Sequence, residues 1–114
     1  MKVLLVGNGG TVLELMRHFI MKWNHEVVVA EGGGNIVKEV ESLNEYDVVV
    51  MSTLFVVKYF RNGQKFVCPS VVCSIESSIK TPVEEAGGIF VDKCSRNFID
   101  DLCAALDKIA KERV

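Results

Sequence analysis

YDVVVMS, from Tyr46 to Ser52, is the part of the sequence around which the rest of the chain is predicted to be arranged. Its apolar run from Val48 to Met51 is rich in β-branched residues, which predicts a strand buried on both faces, as in parallel sheets. In a parallel sheet of five strands ordered 2-1-3-4-5, this third strand is the middle one. The carboxyl end of the middle strand is where such folds place their chemistry. Ser52 stands there, and it carries no carboxylate.

Strand and helix patterns alternate along the rest of the chain with few residues between them. Strands are predicted at residues 2–6, 26–30, 66–73 and 89–91, in addition to the strand that ends at Ser52. Helices are predicted to begin at residues 11, 35, 81 and about 95, and residues 54–61 are apolar almost all round. The 114 residues therefore predict one α/β domain, residues 1–114, with a flavodoxin-like, doubly wound, five-stranded parallel sheet of order 2-1-3-4-5 and helices on both faces.

Two predicted helix starts have the spacing of a capping box, in which a Ser or Thr is followed three residues later by Glu. Thr11 and Glu14 form the first pair, and Thr81 and Glu84 form the second, with Pro82 at the first helical position. The first and last helices are each predicted to bury one apolar stripe. The stripes are Val12, Leu15, Met16, Phe19, Ile20 and Trp23 in the first helix, and Phe98, Ile99, Leu102, Cys103, Leu106, Ile109 and Ala110 in the last.

Composition and charge argue against several classes of protein. A net charge of −2 gives no indication of a nucleic-acid surface. The longest apolar run, residues 48–57, is about half of a membrane span, and Met1 and Lys2 lead into a strand pattern rather than a signal peptide. The four cysteines lack metal-ligand spacing. We therefore expect a cytoplasmic protein with reduced thiols, no metal, no cofactor, and no binding to nucleic acid or membrane.

Two stretches of the sequence are similar to the receiver domain of two-component response regulators. Residues Tyr46 to Met51 resemble the strand that carries the phosphoacceptor, and AGGIFVDK, from Ala86 to Lys93, resembles the family's alanine-glycine turn, fifth strand and invariant lysine. Ser74 falls where the family keeps a Thr or Ser that senses the phosphate. The resemblance covers nearly the whole chain, and it implies the receiver fold and a role in signalling.

Most of the receiver's active site is missing when it is carried over residue by residue. Gly7 and Asn8 stand where the family has the acidic pair that holds Mg²⁺, Ser52 stands at the phosphoacceptor aspartate, and only Ser74 and Lys93 match the family's pattern. Aspartyl phosphorylation needs a carboxylate nucleophile and a divalent cation, and Mg²⁺ prefers charged oxygen ligands. The expectation is a pseudo-receiver: a non-enzymatic signalling or protein-interaction module, without catalytic residues, that has lost aspartyl phosphorylation and Mg²⁺ binding.

Three further residues are functional candidates by their type and position. Cys94 replaces the proline that follows the family's lysine, so no cis peptide is expected there. Burial is the expectation for this cysteine, with a reactive thiol beside the lysine as the alternative. His18 and His25 have no partner in the sequence pattern, and both are expected to be solvated.

The main alternative function is a small Rossmann-like domain that binds a nucleotide or dinucleotide. A glycine-rich turn follows strand one and opens helix one, and an acid closes strand two near the position of a ribose-binding carboxylate. Val12 stands at the third glycine of the G-x-G-x-x-G motif, where its side chain is expected to obstruct close packing of helix on strand. The residues of this alternative site are Gly7, Gly9, Gly10, Thr11 and Glu31.

The resemblance also implies a surface for self-association. Receiver-like domains commonly pair through the face made by the fourth helix, the fifth strand and the last helix. The predicted last helix carries opposite charges away from its apolar stripe, which a two-fold pairing could match. These residues are Arg96, Asp100, Asp107, Lys108 and Lys111. The expected partners are a second copy of the chain through this face and a protein of a signalling pathway, which the sequence does not identify.

Overall fold

Five parallel strands form one sheet in the computed structural model, which describes residues 1–7, 10–31, 45–52 and 68–112. The strands are β1 (Lys2–Gly7), β2 (Glu26–Glu31), β3 (Val48–Ser52), β4 (Ser70–Ser74) and β5 (Ile89–Asp92). Their order in the sheet is β2-β1-β3-β4-β5, and each neighbouring pair is parallel. The predicted fold class and strand order are confirmed.

Helices follow three of the strands in the described part of the chain. α1 (Thr11–Lys22) connects β1 to β2, α2 (Lys80–Glu85) connects β4 to β5 after a 3-10 turn at Ser77–Ile79, and α3 (Phe98–Glu112) follows β5. No helix within these residues is long and apolar enough to cross a membrane. The helix predicted from residue 35 and the apolar segment 54–61 lie outside the described residues.

β3 lies at the centre of the sheet, between β1 and β4. Val48, Val49 and Val50 have no exposed surface, and Met51 is only 1% exposed. Side chains of a strand alternate between the two faces of its sheet, so a strand that is apolar at successive positions must be covered on both sides. Burying one side chain of this size contributes about 1.5–3 kcal/mol to stability. The central position predicted for this stretch is confirmed.

Two apolar clusters cover the sheet, one on each face. The first contains Val48 and Val50 of β3, packed with residues of α1 and α3. The second contains Val49 and Met51, packed with Val83 of α2. Helices therefore lie on both faces of the sheet, as in other doubly wound folds.

The start of α1 differs from the predicted capping box. Gly10, with a φ of 94°, is the N-cap residue, and its carbonyl accepts a hydrogen bond from the N–H of Glu14 (3.2 Å). Thr11 is the first helical residue, and no side chain caps the helix. The Glu14 carboxylate instead pairs with the guanidinium of Arg17 (3.0 Å). Glycine adopts positive φ without strain, so the turn is made by backbone conformation rather than by a side-chain cap.

The buried stripe of α1 is shifted from the predicted one. Leu13, Met16 and Ile20 are buried, whereas Val12 is 51% exposed and Leu15 is 45% exposed. Both sets recur at spacings of three and four, so periodicity alone did not establish which of them faces the sheet. In α3 the buried residues are Leu102, Ala105, Leu106 and Ile109, while Phe98, Ile99, Cys103 and Ala110 are only half-buried.

α2 and β4 also have boundaries that differ from the prediction. Ile79 is the N-cap residue of α2 and no side chain caps this helix, so Pro82 is its third residue rather than its first. The missing N–H of a proline has little effect there, because N–H groups of the first turn have no helical partner. α2 is followed, as predicted, by a glycine turn, with Gly87 at a φ of 90°. β4 begins at Ser70, just after Pro69, and residues 66 and 67 lie outside the described ranges.

Candidate functional site at the carboxyl edge of the sheet

The parallel strands bring most of the receiver-like site to one edge of the sheet. Gly7, Ser52 and Ser74 are the last residues of β1, β3 and β4, and Lys93 follows β5 directly. The backbone N–H of Lys93 donates to the carbonyl of Ser74 over 3.0 Å. Asn8 lies outside the described residues. We call this row of strand ends the carboxyl edge, and four of the five predicted site residues lie on it.

Of the five strands, only the two outer ones end in an acidic residue. The three central strands end in Gly7, Ser52 and Ser74, whereas the two outer strands, β2 and β5, end in Glu31 and Asp92. The Oδ1 atom of Asp92 accepts a hydrogen bond from the N–H of the second residue after it (2.8 Å), so this carboxylate stabilises the turn after β5. Among the described residues, no group of three or more His, Cys, Asp or Glu is arranged to hold a metal ion.

Gly7 allows α1 to approach the end of β1 closely. A Cβ atom at this position would lie 3.0 Å from Cδ1 of Leu13, which is shorter than an ordinary van der Waals contact. Leu13 is buried between the helix and the sheet. Any side chain at position 7 would therefore require the end of the Leu13 side chain to shift by a few tenths of an ångström. The sequence reasoning missed this contact because it had placed Leu13 outside the buried stripe.

Ser74 is held in the backbone turn that follows β4. The residue is 1% exposed, and its Oγ accepts a hydrogen bond from the N–H of Glu76 (3.0 Å). Hydroxyl side chains often bond a backbone group two residues further on and so initiate a turn. Ser74 thus has a structural role at the start of the connection to α2.

Lys93 brings a positive charge to the carboxyl end of β4 and β3. Burial raises the pKa of the Cys73 thiol to about 12, and the charge of Lys93 offsets only part of this effect. Cys73 is the Cα partner of Ser52 in the sheet, so the charge of Lys93 acts on the residue that pairs with the end of β3. Lys93 forms no ion pair with another described residue. The Cys73 thiol stays protonated at neutral pH, and it is not a nucleophile.

The cysteines agree with the predictions in part. All four are free thiols, and no cis peptide bond is present in the described residues, so the trans peptide expected before Cys94 is confirmed. Cys94 was expected to be buried, but it is exposed in the turn after β5. The turn lies beyond the last residue of the strand, where neither apolar cluster reaches it. Cys68 lies before β4 rather than on it, and burial raises its pKa.

The alternative nucleotide site is only partly described. Gly7 and Glu31 are Cα partners at the ends of β1 and β2, and Gly10 and Thr11 form the start of α1, while Gly9 lies outside the described residues. The expectation that Val12 obstructs helix packing was wrong. Its side chain is half exposed, and the contact between α1 and β1 is made by the next residue along the helix.

Several polar contacts lie at the opposite, amino edge of the sheet, where the strands begin. The N–H of Lys2 donates to Oδ2 of Asp47 over 2.6 Å. His25 was expected to be solvated, but its Nδ1 lies 3.1 Å from the amino group of Met1. Burial, together with the positive charge of that amino group, lowers the pKa of His25, and Asp107 acts in the opposite direction. These contacts are remote from the carboxyl edge.

Solved structures with the same arrangement include domains of response regulators. The N-terminal domain of a response regulator/sensory box/GGDEF three-domain protein from Carboxydothermus hydrogenoformans is 13% identical, with a TM-score of 0.69 over 99% of this chain and 96% of that chain. The BeF3-activated N-terminal receiver domain of Klebsiella pneumoniae RstA is 20% identical, with a TM-score of 0.68 over 94% of this chain and 96% of that chain. The chain has a receiver fold.

A third match is a fusion that carries the trimeric coiled coil of yeast Spc42. It is 14% identical, with a TM-score of 0.71, and the match covers 98% of this chain and 79% of that chain. Identities of this size establish the receiver fold and no more. No family model matches the chain, and no curated protein does. Function must therefore be argued from the residues at the carboxyl edge and on the surface.

Proposed function

We propose that this receiver-fold chain is a non-enzymatic signalling or protein-interaction module that does not use aspartyl phosphorylation or Mg²⁺. One observation carries the proposal: the central strands of the sheet end in Gly7, Ser52 and Ser74. A phosphorylated aspartate forms when a carboxylate oxygen attacks phosphorus while a cation neutralises the phosphoryl charge. The end of β3 supplies a hydroxyl in place of that carboxylate, and the end of β1 supplies no side chain.

The two receiver residues that remain do not restore this chemistry. Ser74 already accepts a backbone hydrogen bond, and Lys93 has a positive charge that can attract an anion but cannot act as the nucleophile or bind Mg²⁺. The space beside Gly7 is consistent with the proposal, because a Cβ atom there would lie 3.0 Å from Cδ1 of Leu13, which would have to shift to accept an acid. We therefore propose that protein contacts, and not a phosphoryl group, govern the activity of the chain.

The face formed by α2, β5 and α3 is the surface that we propose for a protein partner, including a second copy of the chain. A groove of about 560 Å³ lies beside β5, and Phe90, Ala104 and Lys108 are among the residues that line it. The five charged residues predicted for pairing, Arg96, Asp100, Asp107, Lys108 and Lys111, are exposed, and within the described residues none of them forms an ion pair. Light scattering at tens of micromolar tests the homodimer, which a constant mass of 12.6 kDa would contradict.

The cytoplasmic location of the protein stays a prediction.

An amide NMR spectrum, titrated in turn with Mg²⁺ plus beryllofluoride and with NAD or ATP, tests the proposed function. The Klebsiella RstA domain is described as BeF3-activated, whereas we expect this chain to show no change with Mg²⁺ and beryllofluoride. Saturable shifts at Ser52, Ser74 and Lys93 with beryllofluoride would contradict the proposal. Shifts confined to Gly7, Gly10 and Thr11 with nucleotide would instead support the alternative, a small Rossmann-like nucleotide-binding domain.

A further inference from the structure

β2 is an outer strand of the sheet with an apolar sequence. Between Glu26 and Glu31 it consists of three valines and an alanine, and all three valines are half-buried, whereas those of the central strand have no exposed surface. Outer strands of natural proteins usually carry a lysine, a proline or a bulge that prevents pairing with another chain. β2 has no lysine or proline, so its middle presents a smooth β-branched edge.

The backbone of β2 leaves alternate residues open on the outer side. The N–H of Glu26 donates to the carbonyl of Met1 on the β1 side (3.0 Å). Because peptide groups of a parallel strand face its neighbour at every second residue, Val28 also faces β1, and the N–H and C=O groups of Val27 and Val29 point away from the sheet. Within the described part of the chain, no hydrogen bond involves these outward groups.

The other outer strand, β5, is protected in ways that β2 is not. It has four residues rather than six, and it ends in Asp92, whose carbonyl accepts a hydrogen bond from the N–H of Ser95 (3.3 Å). The side chains of Lys80 and Lys108 line the groove beside it. Charged side chains next to an edge discourage pairing with another strand. Of the two edges, β2 is therefore the one that fits a further strand.

We propose that β2 pairs with β2 of a second copy of this chain, antiparallel and centred on Val28, so that the two sheets join into one. In this register Val27 of each copy lies opposite Val29 of the other, and the two residues exchange both of their N–H···O bonds. Val28 lies opposite its own counterpart on the two-fold axis. Opposed β-branched side chains pack well in antiparallel pairs.

The charges at the ends of β2 are compatible with this register. Glu26 lies opposite Ala30 of the second copy, and Glu31 lies opposite His25 of the second copy. No carboxylate therefore faces another, an arrangement that would destabilise the pair. This edge lies on the other side of the sheet from the α2-β5-α3 face, so the pairing is independent of the proposed function and of the dimer proposed there.

The strength of this pairing follows from its size. Two six-residue strands bury much less than the roughly 1,200 Å² at the lower end of specific, stable interfaces. The association is therefore weak, and it depends on protein concentration over about 10 μM to 1 mM. A second domain or partner that holds two copies together would raise the paired fraction by increasing the effective concentration.

Amide hydrogen exchange of the whole chain, followed residue by residue across this concentration range, tests the proposal. The amides of Val27 and Val29 are expected to exchange rapidly in dilute solution, and to slow about tenfold once nine chains in ten are paired. The amide of Val28, which faces β1, should stay protected at every concentration. Rapid exchange at Val27 and Val29 throughout would overturn the proposal. Concentration-dependent protection confined to other residues would overturn it as well, because it would place the contact elsewhere.

Two substitutions at Val29 test separately the contributions of its outward N–H group and of its side chain to the pairing. Val29→Pro removes an N–H that β1 does not use, and proline is tolerated in outer strands at such positions. Val29→Thr keeps both the N–H and the β-branched shape. We expect the threonine variant to retain the concentration-dependent protection of Val27 and the proline variant to lose it. Protection of Val27 that survives in a folded proline variant would overturn the register. If the proline variant does not fold, the exchange pattern of the unsubstituted chain decides alone.

Discussion

The middle of β3 and its carboxyl end differ in the kind of residue that they carry. Val48 to Met51 have almost no exposed surface and are covered by helices on both sides. One residue further, at the carboxyl edge, the strand ends in Ser52, which carries no carboxylate. The strand is thus paired on both sides within the sheet, and its last residue is a serine rather than an acid. A sheet of this order therefore depends on the apolar pattern of its strands and does not require acids at their ends.

The largest expected effect is at the middle of the strand. Val49→Asp places a charge without a partner between two apolar layers. We expect it to lower the free energy of unfolding by more than about 4 kcal/mol, which is enough to prevent folding of a domain of ordinary stability. Thermal unfolding followed by circular dichroism measures this effect. The matched control is Val12→Asp, at a valine that is 51% exposed. A cooperatively melting Val49→Asp protein would contradict the buried position of this strand.

A smaller effect is expected at the carboxyl end of β4. Ser74→Ala removes the hydroxyl that accepts the N–H of Glu76, and we expect it to lower the free energy of unfolding by about 1 to 2 kcal/mol. Ser78→Ala, at an exposed serine of the following turn, should change it by less than about 0.5 kcal/mol. Urea unfolding of both variants provides the comparison. Equal stabilities would show that the hydroxyl of Ser74 does not hold the turn.

Ser52→Ala is expected to have a still smaller effect. The substitution leaves the apolar run of β3 unchanged, and we expect the free energy of unfolding to change by less than about 1 kcal/mol. The same urea experiment measures it. A loss of several kcal/mol would show that the end of β3 has a structural role, and it would weaken the contrast between the two parts of the strand.

The smallest expected effect is at the amino edge, far from both parts of β3. The pKa of His25 is lowered in the folded protein below its ordinary value of 6.5, mainly by burial. The folded state therefore binds the proton less readily than the unfolded state, and stability should be full above pH 6.5 and decline as pH falls through the folded-state pKa. His25→Gln should flatten this decline, and His18→Gln, at an exposed histidine of α1, should not. Stability that rises on acidification over this range would contradict the sign.

The fold could be predicted from sequence to a much greater degree than the site. Alternating strands and helices, with an apolar run in the middle strand, determine the order of a doubly wound sheet with few alternatives. Which side of α1 faces the sheet could not be predicted in the same way, because Val12 and Leu15 have the same spacing as Leu13 and Met16. The close contact of Leu13 with Gly7 selects between them, and it depends on the distance between two elements, which no local pattern contains.

For the candidate site, the positions of its residues at the strand ends follow from the sequence, whereas their contacts do not. Parallel strands end at one edge, so the positions of Ser52, Ser74 and Lys93 followed from the strand order. The hydrogen bond of Ser74 and the exposure of Cys94 did not follow, because both depend on the path of a turn after the strand has ended. Asp92, two residues before Cys94, offered one local signal that was overlooked, since an aspartate often accepts the N–H two residues further along.

Treatment of the chain with acetyl phosphate and Mg²⁺ tests the central claim most directly. We expect no acid-labile, aspartate-linked phosphate by intact-mass and peptide analysis, because position 52 has no carboxylate. A Ser52→Asp variant is the matched control, and it should also stay unlabelled because Gly7 and Asn8 supply no charged ligand for Mg²⁺. Stoichiometric labelling of the unsubstituted chain, mapped to an aspartate near β3 such as Asp47, would contradict the account.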